Sequence, residues 1–244
     1  MTSIMTEFET SAFKAKPTPT YGLIGDGRVA RHMRHYLQLT GHSFFTWNRS
    51  QSEADLRKLQ GASIILLLIK DESIEPFYKE NDFLHSKTCL HFSGSQTVHE
   101  VPGFHPLFSF GEKLYSLRTY EKIPFICEAG GALFEEAFPR LNNPHFDLQV
   151  KDKELYHSLC VMAGNFSTVL WNKLFEDFES KLGLDREVAI PYLERITKNL
   201  KTNPKGALTG PLVRKDQKTI EANLKALQGD KYQDIYKAFV ELMK

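Results

Sequence analysis

Residues 25–30, Gly25-Asp26-Gly27-Arg28-Val29-Ala30, read G-x-G-x-x-A between an apolar run and a stretch of helical character. That order is the context in which the pattern means phosphate binding. Gly25 permits the tight turn. Gly27 lets backbone approach a pyrophosphate, and Ala30 lets the helix pack close to the strand. The first helical N–H groups and the positive end of the helix dipole then face the anion. Arg28 and Val29 sit in the turn, and Arg28 can touch the pyrophosphate.

The end of the second strand selects the nucleotide. The run Thr46-Trp47-Asn48-Arg49-Ser50 contains no acid, whereas an Asp or Glu there would grip ribose hydroxyls. Arg49 can form a forked pair with a 2′-phosphate, Ser50 can add a hydroxyl donor, and Asn48 stands beside them. This pattern favours NADP(H) and disfavours NAD and S-adenosylmethionine. Ile69 and Lys70 after the third apolar run, and Ser93-Gly94 after the fourth, complete the expected cofactor group; a small turn such as Ser93-Gly94 can sit against a nicotinamide ring.

The expected chemistry lies further along. On one long helix, at about 100° per residue, His157, Val161, Gly164, Asn165, Thr168 and Asn172 fall in a quarter of the wheel. A histidine such as His157 is a residue type suited to acid–base work near neutral pH. His157, Asn165 and Ser93 are the expected catalytic residues. His105, extended because Pro106 follows it, can donate to a substrate oxygen. Thr209 in a Thr-Gly-Pro turn and Arg214 beyond it are the other expected substrate contacts, Arg214 for a carboxylate. Each residue also has a plain structural reading: solvated arginines, a strand-ending turn, and polar groups that link helices. The nine histidines are scattered and none has metal-ligand spacing.

Positioning these residues requires a strand–helix alternation. Strands are expected at Tyr21–Gly25, His42–Trp47, Ser63–Ile69, Thr88–Phe92, Ile123–Cys127 and Phe146–Val150. Helices are expected at Arg28–Leu39, Gln51–Leu59, Ser73–Tyr78 and Gly131–Phe138. Alternation of this kind implies a doubly wound, mostly parallel sheet of Rossmann type. After Val150 the pattern turns helical: Asp152–Leu182 without proline, then Arg186–Asn199, Gln217–Leu227 and Lys231–Met243. The expected division is a tail at 1–16, a Rossmann-type NADP-binding domain at 17–150, and an all-α substrate and dimerisation domain at 151–244.

The 244 residues carry a formal charge of +1, so no strong field points to nucleic acid or a membrane surface. The longest apolar run, Ala62–Ile69, is far short of a membrane span, and the start lacks the features of a secretory signal. Cys89, Cys127 and Cys160 are far apart in apolar contexts, as for reduced thiols in a cytoplasmic protein.

Together with Gly22–Ala30, the runs Leu90–Ser95, Gly103–Phe110, Tyr156–Phe166 and Ala207–Asp216 resemble, in order, an uncharacterised bacterial family. That family joins a Rossmann-like domain to the domain of unknown function 2520, within the 6-phosphogluconate dehydrogenase-like superfamily. The resemblance implies NADP binding, a helical C-terminal domain, and dimerisation through its helices. In hydroxyacid dehydrogenases of that superfamily the equivalent helix carries Lys-x-x-x-Asn. Asn165 matches the asparagine, but Val161 stands where the proton-exchanging lysine would be, which leaves His157 to substitute. The expected function is hydride transfer from NADP(H) to a small carbonyl or imine held between the domains. The alternative is a non-catalytic NADP(H)-binding regulator or scaffold.

Overall fold

The computed structural model describes residues 18–128 and 131–244; the expected tail at 1–16 lies outside the described residues. The chain divides into two compact units, one ending at Phe166 and one running from Ser167 to Lys244.

In the first unit four parallel strands lie in the order β2-β1-β3-β4: β1 (Tyr21–Ile24), β2 (Phe44–Trp47), β3 (Ile64–Leu67) and β4 (Thr88–His91). Tyr21 pairs with Phe44 on one side and Ile64 on the other. Both β1 and β3 are buried throughout, as central parallel strands covered on both faces must be. Alternate residues feed two cores. Tyr21, Leu23, Ile64 and Leu66 pack with α1 (Arg28–Leu39) on one face. Ile24, Ile65 and Leu67 pack on the other with Leu56 of α2 (Glu53–Arg57) and Ile74 of α3 (Asp71–Glu80).

A second sheet differs from the expectation. Strand β5 (Phe104–Pro106) is antiparallel to β6 (Phe125–Cys127), which is parallel to β7 (His145–Asp147). It joins the first sheet through a bridge between His91 and Gly103. β5 was not expected: it has three residues, and its proline can donate nothing to a ladder. The expected strand Phe146–Val150 ends early, at Asp147. Between these strands lie α4 (Leu117–Tyr120) and α5 (Gly131–Ala137).

The expected helix Asp152–Leu182 is interrupted twice. α6 (Lys153–Cys160) passes into π-helical turns at Val161–Phe166. α7 (Ser167–Asp177) passes into a second π stretch at Phe178–Leu182, which Gly183 closes at φ +64°. The second unit continues with α8 (Ile190–Thr202), α9 (Pro211–Arg214), α10 (Gln217–Ala226) and α11 (Tyr232–Leu242). Within it Lys173 bridges Asp177 and Asp230, and Trp171 packs edge-on to Tyr192.

Candidate active site

Gly25 has φ +124°, and a Cβ there would lie 2.2 Å from the Leu68 carbonyl oxygen, so only glycine fits. Around Gly27, by contrast, there is open space within 4 Å. Gly27 caps α1 without a side-chain hydrogen bond, and the first turn holds no acid. The first-turn N–H groups therefore point outward with the positive dipole end behind them. Asp26 inside the turn is paired with Arg34 at 2.8 Å.

A cavity of about 790 Å³ opens at this turn, along the carboxyl ends of β1, β2, β3 and β4. Gly25, Gly27, Arg28, Val29, Asn48, Arg49, Ser50, Ile69, Lys70 and Ser93 all line it. Of the expected cofactor group only Gly94 does not. The sequence reading omitted the aromatic wall of the cavity, where Trp47 and Phe77 lie 5.6 Å apart. Asn48 Oδ1 accepts from the Ser50 backbone N–H at 2.9 Å and from the Ser50 hydroxyl at 2.6 Å. The Ser50 proton is thus engaged in shaping the loop, whereas Arg49 makes no ion pair among the described residues.

Next to the cavity, the Ser93 Oγ accepts the N–H groups of Ser95 and Gln96 at 3.2 and 2.9 Å, and Ser95 Oγ donates to Asp71. Ser93 is buried and holds the loop in shape. Gly94 lies beneath two imidazoles. A Cβ there would meet His157 Cδ2 at 2.7 Å and His105 Nε2 at 3.0 Å. The two rings are 6.5 Å apart, nearly perpendicular. The structure thus brings Ser93, Gly94, His105 and His157 together from β4, β5 and α6.

Under this layer lie groups that the sequence reading missed. Lys153 and Glu128 form a buried ion pair, and Lys153 also donates to the Gln96 carbonyl. The other Glu128 oxygen accepts the Gly103 N–H at 2.6 Å. His91 Nδ1 accepts the Ser93 N–H, while its fully buried Nε2 lies 3.9 Å from the Glu128 carboxylate with no hydrogen-bond partner among the described residues. Burial, reinforced by the Lys153 charge, lowers His91 to about 3. Burial first, then the charges of His157 and Lys153, lowers His105 to about 4 against the opposing effect of Asp71. Burial also lowers Lys153, with Glu128 opposing. Tyr156 bonds His105 Nδ1 at 2.7 Å; burial, then Cys160, raises its pKa.

Lys153, Tyr156, His157 and Cys160 recur at i, i+3, i+4 and i+7, and all are at least half-buried, while Glu154, Leu155, Ser158 and Leu159 are exposed. That spacing is the signal by which the inward face of α6 could be found. Of the expected stripe, His157 and Val161 are half-buried, whereas Gly164, Asn165, Thr168 and Asn172 are exposed, and the π turns at Val161–Phe166 change the residue-to-residue rotation along it. Asn165 is exposed and shares no hydrogen bond with Ser93 or His157 among the described residues. Thr209 and Arg214 are exposed in the second unit, around a turn where Gly210 has φ +95°.

Residues 124–243 match the family described as domain of unknown function DUF2520. The chain carries a DUF2520 domain. No curated protein matches this sequence. Among solved structures, a provisionally assigned NADP oxidoreductase from Bacteroides fragilis superposes with a TM-score of 0.75 at 20% identity, covering 92% of this chain and 97% of its own. An imine reductase from Streptomyces aurantiacus gives 0.62 at 11% identity, covering 92% and 93%. A Plasmodium falciparum pyrroline carboxylate reductase with NADP bound gives 0.57 at 12%, covering 92% and 96%. The chain has a Rossmann-like parallel sheet followed by a helical region, the fold these reductases share. Among the described residues no helix is long and apolar enough to cross a membrane.

Proposed function

We propose that this chain is an NADP(H)-dependent oxidoreductase acting on a small carbonyl or imine at the carboxyl edge of its first sheet. The observation that carries the reading is the cavity that joins the Gly25–Val29 turn to Arg49 and Ser93. The residues fit the cofactor: outward N–H groups of α1 and Arg28 for the pyrophosphate, Arg49 for the 2′-phosphate, and Trp47 and Phe77 for an aromatic base. When bound, NADPH supplies the hydride. The chain's own part is to orient the substrate and deliver one proton, and the imidazoles above Gly94 suit that task.

Small cyclic or acyclic imines fit the reading because the superposed reductases include ones named for imine and pyrroline substrates. Binding of NADPH followed by fluorescence, and then NADPH oxidation against keto acids, aldehydes and cyclic imines, tests it. No binding at micromolar protein and nucleotide would end the proposal; binding without turnover of any substrate would favour a nucleotide-binding regulator, the reading to which Val161 at the lysine's place also points.

The same reading includes a homodimer and a cytoplasmic location. Leu155, Leu159, Met162 and Phe166, at helical spacing away from His157, are each more than half exposed. In the second unit Leu182, Val188, Tyr192 and Leu242 are also exposed. Apolar surface of this extent marks an interaction face. Three unpaired thiols support the location.

A further inference from the structure

We infer that His105, held as its Nε2–H tautomer by Tyr156, delivers the proton in the proposed reduction, and that Tyr156 is its positioning residue. The inference rests on the reductase reading above.

The geometry has three parts. First, the Tyr156 hydroxyl and His105 Nδ1 are 2.7 Å apart. That length is ordinary for a hydroxyl donor and short for an imidazole N–H donating to oxygen, which centres at about 2.9–3.0 Å. On the proposal the phenol donates, Nδ1 accepts, and the ring proton resides on Nε2. Second, Nε2 is the atom that faces the Gly94 turn, 3.0 Å from where a Cβ would stand, and it has no hydrogen-bond partner among the described residues. The ring thus packs on the Gly94 turn, next to Ser93, which lines the cavity. Third, the ring is fixed at both ends: its backbone lies in β5, paired with Ile126 of β6, and its far nitrogen is tied to α6. His157 lies beside it with no hydrogen bond among the described residues, so nothing sets its tautomer.

The step balances without another reactant. His105 Nε2 gives its proton to the oxygen or nitrogen whose double bond to carbon is reduced. Nδ1 takes the phenolic proton of Tyr156, and the phenolate recovers one from water. An alkoxide or amide anion is a stronger base than a phenolate, so the transfer runs downhill even though burial makes Tyr156 a weak acid.

The test uses the full chain labelled with ¹⁵N-histidine. The His105 resonances are expected to show a protonated Nε2 and an unprotonated, hydrogen-bonded Nδ1 at pH 7, and Tyr156→Phe is expected to change the Nδ1 shift. A protonated Nδ1, or an identical spectrum in Tyr156→Phe, overturns the inference whether or not a substrate turns over. With a substrate in hand, Tyr156→Phe lowers kcat by about tenfold to a hundredfold and His105→Gln by about 10²–10⁴-fold, with KM and NADPH affinity within about twofold. A larger fall in His157→Ala than in His105→Gln also overturns it. Failure to bind NADPH is a different result: it removes the reductase reading and leaves the labelled spectrum to decide the His105–Tyr156 geometry. Circular dichroism melts confirm that each variant is folded.

Discussion

The Lys153 ammonium and the Glu128 carboxylate meet inside the first unit, with only 3% and 7% of their side chains exposed. Both are also hydrogen-bonded to backbone, Lys153 to Gln96 and Glu128 to Gly103. The pair thereby ties α6 and β6 to the loop that carries Ser93 and Gly94. Removing one partner leaves a buried charge uncompensated, which costs about 3–5 kcal/mol. Lys153→Met is expected to lower stability by that amount in urea unfolding, and Lys153→Met with Glu128→Leu to recover most of it. Equal stability of the single and double variants would show that the pair carries no such charge.

Acid should loosen this region before the rest of the carboxylates matter. His91 and His105 fall to about 3 and about 4 in the fold from an ordinary 6.5, chiefly through burial. Below pH 6.5 the unfolded chain binds protons that the folded chain refuses, so stability falls as pH falls from 6.5 toward 4. Each histidine contributes up to about 1.4 kcal/mol per pH unit in that window. Urea midpoints between pH 7 and 4.5 should show this slope, and His105→Asn should reduce it by about half. An unchanged slope in His105→Asn would contradict the burial of that imidazole.

Gly94→Ala places a methyl group against His157 Cδ2 and His105 Nε2. Overpacking of this kind costs about 1–3 kcal/mol. Removing the closer ring with His157→Ala is expected to relieve part of that cost, so thermal melts of the two single variants and the double variant should be non-additive. Strict additivity would mean that the turn moves freely away from the rings.

Nucleotide preference is expected to depend on Arg49. A charge-assisted contact to the 2′-phosphate contributes about 1.5–3 kcal/mol, roughly tenfold to a hundredfold in affinity for NADPH over NADH. Titration by fluorescence should show Arg49→Ala losing most of that preference while NADH affinity stays put. Equal affinities for the two nucleotides in the unaltered protein would refute the role.

Light scattering at micromolar concentration should return the mass of a dimer. Leu159→Glu, on the exposed face of α6, and Phe166→Glu, at the end of the π turns that follow it, are expected to shift it to monomer. A monomer in the unaltered protein would leave that apolar face unexplained by self-association.

Sequence alone picked out residues that line the cavity at the carboxyl edge of the first sheet. Gly25, Gly27, Arg28, Asn48, Arg49 and Ser50 follow local rules: a turn that only glycine can make, a helix N-terminus, and the end of the neighbouring strand. Parallel strands with buried alternation place those ends side by side, so the 790 Å³ cavity collects them. Only the tertiary structure brought together the groups proposed to handle the proton. His105 and Tyr156 are 51 residues apart, and Glu128 and Lys153 are 25 apart. No periodicity links such pairs. Their meeting depends on β5, a strand too short and too proline-marked to be read, and on which face of α6 docks. The π turns at Val161–Phe166 then change the 3.6-residue count on which a wheel drawn from His157 through Asn165 to Asn172 rests. Local chemistry is written in spacing, whereas the phase of a helix against a sheet is fixed only when both are packed.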